Sequence, residues 1–349
     1  MRRVIIALSS ALLLAACANS ISPSPSDSES QSNSGSPDPS STCWRSPLTG
    51  QCSQSETPAM VVKIDDAYAA RPQYSLNDAD LVVVEPVEGG MTRFFAVYQT
   101  NAPVIVGPVR SARITDPDIA EAFGVPGFVY SGSNNKVKPL LLNASIQLVG
   151  APQGGKGYYR EDGRDAPHNL IGEYAKLVER LKDATAAKLE TTSSWNFADS
   201  PSAGKNFLYA QINWPGEHKT FTWDAALKQW TIKSYKNPTL SMDGVTKILT
   251  PATATTVFIQ ETHLLPNPTS KLTPYPETFG EGTGYILNGG TVISVVWKRP
   301  TVRDLPHWYL PTGEEVSIAP GRVWWAITSE RDEVIIKYPK SPSPSASAS

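Results

Sequence analysis

From about residue 195 to residue 338 this chain carries one run of strand composition after another and no helical period of useful length. A stretch of that kind buries its apolar side chains only by pairing strands and stacking sheets. The runs are 207–214, 219–223, 229–235, 255–260, 283–287, 291–297, 322–328 and 333–338. Asn288-Gly289-Gly290 between two of them is a hairpin signal, because glycine reaches the positive φ that a tight turn needs. We expect 195–338 to form a mainly antiparallel β-rich domain. Most of its Trp and Tyr residues are core candidates. Trp324 and Trp325 are strand neighbours and should face opposite sides, so one of them is a candidate for stacking on a sugar or peptide.

Residues 43–190 read differently. The segments 60–64, 81–84, 92–98, 104–106, 127–130 and 146–149 have strand composition, and 81–84 is apolar throughout, as a strand covered on both faces would be. Asp116 as cap with Pro117 at the first position opens an expected helix through Phe123. A second helix is expected over 135–142. Ile171, Tyr174, Leu177, Val178 and Leu181 recur at helical spacing and predict a helix over 171–183. This mixture predicts an α/β domain with a mixed sheet, and an α+β chain as a whole. The 30 Pro and 24 Gly agree with short elements and many turns.

The two ends have a different character. Arg2 and Arg3 precede an apolar stretch, 4–16, that runs into Leu14-Ala15-Ala16-Cys17. A positive region, an apolar core and a small-residue cleavage site in that order make a secretory signal. Residues 1–16 are therefore expected to be removed and Cys17 to carry lipid, since two or three acyl chains hold a protein stably on a membrane. Residues 17–42 then form a tether. Its 18–42 portion holds 11 Ser and 4 Pro and, with flexible-chain statistics, reaches roughly 25–30 Å. Residues 339–349 are expected to be a similar disordered tail. The protein is thus expected at the cell membrane, lipid-anchored on the extracytoplasmic face. There Cys43 and Cys52 read as a disulfide. With no histidine near them, neither a metal site nor a nucleophilic thiol is expected. The net charge of −2 lacks the basic excess of a nucleic-acid binder. No P-loop, dinucleotide fingerprint or HExxH pattern occurs, so no cofactor is expected.

The polar residues of the first half collect where strands should end. Glu88-Gly89-Gly90-Met91-Thr92-Arg93 lies between two strands, and Val109-Arg110-Ser111-Ala112-Arg113 leads from a strand into the Asp116 helix. Ala166-Pro167-His168-Asn169 lies just before the expected 171–183 helix. Arg93, Arg110 and Arg113 could clamp an anion, because the planar guanidinium fork matches phosphate and carboxylate. Asn169 would add a contact, and the two helix N-termini a partial positive charge. His168, Glu88 and Asp65 are the candidate acid–base groups. The same charges could instead neutralise one another at strand ends, with His168 a structural histidine. Two functions follow. One is a binding module for an anionic cell-envelope ligand or an envelope protein. The other is an envelope enzyme acting on a phosphorylated or carboxylated cell-wall substrate.

Six stretches occur in order: Pro47-Leu48-Thr49-Gly50, Ala70-Arg71-Pro72-Gln73, Ala79-Asp80-Leu81-Val82, Val87-Glu88-Gly89-Gly90-Met91-Thr92-Arg93-Phe94, Gly107-Pro108-Val109-Arg110-Ser111-Ala112-Arg113 and Ala166-Pro167-His168-Asn169. Together they resemble the YerB-like family of bacterial lipoproteins. Gly282-Thr283-Gly284-Tyr285 with Val296-Trp297-Lys298 resembles its C-terminal domain. The resemblance covers most of 47–328. It implies two domains of unknown function on a lipid-anchored envelope protein, and no activity. The chain departs from the family pattern at Asp66, Ser75 and Val84, where the resemblance implies Asn, Gly and often Glu.

Overall fold

Strand pairing carries this molecule. The computed structural model describes residues 43–53, 57–187 and 194–340, so the signal segment, the tether with Cys17 and the end of the tail lie outside the described residues. The main sheet is mixed. Across it run Lys205–Asn206, Thr291–Arg299, Gly280–Asn288, Thr256–Thr262, Val323–Ser329, Leu81–Pro86, Thr92–Tyr98, Met60–Asp65, Gly127–Val129 and Gln147–Leu148, with His307–Tyr309 paired onto Thr291–Arg299. The two sequence halves meet in its middle. Val323–Ser329 lies parallel to Leu81–Pro86 on one side and to Thr256–Thr262 on the other. Each contains a buried apolar run, 81–84, 257–259 and 323–327, the pattern that a parallel pairing covered on both faces requires. No gap in the sheet falls between the halves.

One face of this sheet is covered by a second, antiparallel sheet of Asn237–Pro238, Gln229–Ser234, Glu217–Asp224, Tyr209–Trp214 and Glu333–Lys337. Its alternate residues Ala210, Ile212, Trp214, Phe221, Trp230 and Ile232 share a core with Val62, Ile64, Val82, Val84 and Phe94. The other face buries Val61, Val83, Phe95 and Val97 against Ile119, Phe123, Val137 and Leu141. Each such side chain contributes roughly 1.5–3 kcal/mol on burial. The expected hairpin is present: Asn288 pairs with Thr291, and Gly289 and Gly290 take φ of 54° and 83°.

The fold is mainly β, and here the expectation of an α/β first half needs correcting. Its helices shrink to Thr115–Ala120, Lys138–Asn143 and Tyr174–Val178. The helix expected over 171–183 begins instead as the strand Leu170–Glu173, held between Tyr158–Arg160 and Ile105–Val106. Ile171 is buried beside Tyr74 and Ile105, so a long-range contact claims the residue that the periodicity assigned to a helix. Asp116 does not cap by its side chain; the first helix starts at Thr115 without a side-chain cap. Trp324 and Trp325 are both buried, one in each core, and neither is available for stacking on a ligand. Ser75 adopts left-handed backbone (φ 60°), the conformation that glycine enters most cheaply. Cys43 and Cys52 form a disulfide.

Candidate functional site

The site is built at one end of the strands Met60–Asp65, Leu81–Pro86 and Thr92–Tyr98. In the ladder Arg93 stands opposite Asp65 on one side and Glu85 on the other. Directly paired residues share a sheet face, and so do residues two apart. Lys63, Asp65, Glu85 and Arg93 therefore lie on one face. Beyond its pairing with Gly127–Val129, the Asp65 strand is flanked by the segment 107–113. Asp65 N donates to Pro108 O, Arg110 N to Lys63 O, and Ser131 N to Arg110 O. This wedge carries Arg110 and Arg113 to the strand ends where Arg93 sits.

Arg93 is 6% exposed. Its Nη1 donates to Ser111 O at 2.6 Å. Among the described residues no carboxylate lies within 4.0 Å of its guanidinium. Burial first, and then the neighbouring charges of Arg113 and Arg110, push its pKa down to about 10 against the opposing pull of Glu88 and Asp65. The other two arginines are paired and half-buried. Arg110 Nε lies 3.1 Å from Asp65 Oδ2. Arg113 Nε donates to Glu88 Oε2 at 2.7 Å and its Nη1 to Ala112 O at 2.9 Å. Glu88 also accepts from Thr273 Oγ1 of the second half at 2.5 Å. Burial alone would raise the Glu88 pKa, but the bonds from Thr273 and Arg113 outweigh it and hold the carboxyl below its usual value.

His168 joins this group across 103 residues of sequence. Its Nδ1 lies 2.7 Å from Asp65 Oδ2, and its side chain is 24% exposed while that of Asp65 is 4% exposed. Asp65 Oδ1 accepts from Ala67 N. The structure thus brings together Asp65, Arg93, Arg110, Arg113, Glu88 and His168. The expected contribution of two helix N-termini does not hold: His168 precedes a strand, and the first helix has six residues. Asn169 is buried, and its Nδ2 donates to Arg164 O and Glu161 O while its Oδ1 accepts from Arg160. That amide braces the loop under His168. An open hollow of about 830 Å³ lies elsewhere, lined by Arg45, Asn196, Phe197, Asp199 and Glu315 among others.

Sequence reading missed the layer beneath. Lys63 is fully buried and donates to both Glu85 and Asp116, the latter at 2.8 Å. Asp116 Oδ2 in turn accepts from Arg113 N at 2.6 Å. Burial, and then the Asp116 charge, raise the Glu85 pKa to about 7 against the pull of Lys63. The signal was a lysine and a glutamate inside otherwise apolar strand runs, Met-Val-Val-Lys-Ile-Asp and Leu-Val-Val-Val-Glu-Pro. Charges at such positions are tolerated only when paired.

Comparison with known proteins places this chain in a family. The models described as "Protein of unknown function (DUF3048) N-terminal domain" and "DUF3048 C-terminal domain" match residues 48–188 and 210–325. The chain belongs to this YerB-like family. It is 26% identical over 302 residues to "Putative lipoprotein YerB" of Bacillus subtilis (strain 168), covering 84% of this chain and 88% of that protein. The crystal structure of YerB protein from Bacillus subtilis has the same fold. The TM-score is 0.69 at 24% identity, covering 84% of this chain and 99% of that one.

Proposed function

We propose that the protein is a lipid-anchored lipoprotein of the extracytoplasmic membrane face that binds an anionic cell-envelope ligand at the Arg93, Arg110 and Arg113 cluster. The observation that carries this reading is Arg93. Its guanidinium is buried beside two others, and no carboxylate stands within 4.0 Å of it among the described residues. A buried charge without a counter-charge is costly. A phosphate or carboxylate seated there supplies the missing charge and accepts paired hydrogen bonds. Arg110, Arg113 and His168 keep 18%, 15% and 24% of their side chains exposed, which leaves the cluster reachable from solvent. The anchor reading rests on Leu14-Ala15-Ala16-Cys17 and on a relative whose name includes lipoprotein.

The test is calorimetric titration of the full chain with inorganic pyrophosphate. Saturable binding that weakens about tenfold or more in Arg93→Met is expected, a loss of ~1.4 kcal/mol. Equal affinity in the parent, Arg93→Met and Arg110→Ala overturns the site. For the anchor, Cys17→Ser should move the protein from the membrane to the soluble fraction.

A further inference from the structure

We infer that this cluster is also catalytic: His168 activates a water molecule against a phosphoanhydride held by Arg93, Arg110 and Arg113. The inference rests on the anion-binding reading above and adds a reaction to it.

Asp65 is almost fully buried, and both its oxygens are engaged: Oδ1 by Ala67 N and Oδ2 by His168 Nδ1, with Arg110 Nε 3.1 Å from that same oxygen. A carboxylate accepts and does not donate, so it selects the tautomer with the proton on Nδ1. That leaves a lone pair on Nε2, which has no protein hydrogen-bond partner among the described residues, on a ring that is one-quarter exposed. The loop is held from below, by His168 N donating to Asp165 O and by the Asn169 amide. An oriented, solvent-reachable imidazole beside guanidinium groups is what a general base acting on a bound anion requires. Asp65 acts through the ring and is a positioning residue.

The choice of substrate follows from what the site lacks. The carboxyl of Glu88 is tied to Arg113 and Thr273 and held below its usual pKa, so it is a poor proton donor at neutral pH. Asp65 is tied to His168. Glu85 is fully buried on Lys63 and out of reach of solvent. Among its solvent-reachable groups the cluster therefore offers one proton-handling group, used as the base. A leaving group that must be protonated on departure, such as an alkoxide or an amine, has no acid to serve it. The phosphate released from a phosphoanhydride leaves as an anion and needs none. Three guanidinium groups also suit two linked phosphates better than one carboxylate. In the step, the water oxygen bonds to phosphorus and the bond from that phosphorus to the bridging oxygen breaks. The water proton passes to His168 Nε2. The bond's electron pair departs with the leaving phosphate, whose charge the guanidinium groups offset, and His168 returns its proton to solvent.

The test uses the full chain with pyrophosphate as substrate and imidodiphosphate as a non-cleaved probe. Phosphate release is expected from the parent. His168→Gln should lower turnover by about 100-fold or more with probe affinity within about twofold. Asp65→Asn should lower kcat far more than it changes KM, and Asp65→Glu should restore part of kcat; a purely structural role gives neither. Probe binding with no phosphate release overturns the catalytic inference and leaves the binding site standing. No probe binding overturns both. Unchanged turnover in His168→Gln removes His168 from the reaction.

Discussion

Asp65 and Asp66 are neighbours in sequence, yet their carboxylates lie on opposite faces of the main sheet and meet different company. Asp66 is fully buried and accepts from Thr92 Oγ1, with Lys219 Nζ at 2.6 Å and Arg71 at 3.2 Å. Glu217 completes that group, 2.7 Å from Arg71 and 3.7 Å from Lys219. Two cations there face two anions, and Lys219 and Glu217 come from the second sheet. This cluster is a closed fastening between the halves, reinforced where Gly90 meets Pro215 and Gly216 too closely to admit a Cβ. The Asp65 face has more charges and divides them unevenly. Lys63 takes two carboxylates, Glu85 and Asp116, while Arg93 has none within ion-pair distance among the described residues. The difference teaches that composition does not separate a fastening from a binding site. The local pairing of charges and their access to water do.

The largest effect should come from breaking the closed cluster. Lys219→Met leaves buried Asp66 without its nearest cation and should cost about 3–5 kcal/mol in urea unfolding, the range for removing one partner of a buried pair. On the open face, Arg93→Met removes a buried charge that has no ion pair among the described residues and should destabilise by no more than about 1 kcal/mol. If both substitutions cost the same, the contrast between the two faces is gone.

A ligand sharpens the contrast further. Arg110→Ala and Arg113→Ala should each weaken pyrophosphate about tenfold by calorimetry, while Arg71→Ala, on the closed face, should leave that affinity unchanged. A loss shared equally by Arg71→Ala would show that the anion responds to overall charge.

A separate effect concerns pH. The Glu85 pKa rises from 4.5 in the unfolded chain to about 7 in the fold, so between those values the folded protein holds a proton that the unfolded chain has lost. Stability should therefore decline as pH rises from about 4.5 to about 7, and Glu85→Gln should remove that contribution. Urea midpoints at pH 5 and pH 7.5 for parent and variant measure it. A decline of the same size in Glu85→Gln assigns the effect to another group.

Much of the strand content was legible because it rests on local patterns. The strand expected over 92–98 is Thr92–Tyr98, and the turn at Asn288-Gly289-Gly290 falls where glycine permits it. The 170–183 region was misread because its apolar spacing satisfies a helix, while pairing with residues some 65 positions earlier makes its start a strand. Arg93, Arg110, Arg113, Glu88, Asp65 and His168 could be named from strand-end positions. Their partners could not, because Asp65 with His168 and Glu88 with Thr273 are joined only through the folded sheet. Asn169 looked like a contact residue and is instead a brace, since its amide finds backbone carbonyls within its own loop.

The residues alone determined that this chain pairs strands, and which guanidinium and acid–base groups it has to offer. Those properties follow from side-chain period, turn chemistry and composition, which act over a few residues at a time. Only the tertiary structure decided that strand 323–329 enters the sheet beside 81–86, that Asp65 turns toward His168 while Asp66 turns toward Lys219, and that Arg93 has no carboxylate within ion-pair distance among the described residues. These outcomes depend on register, and register is fixed by packing both faces of one sheet at once.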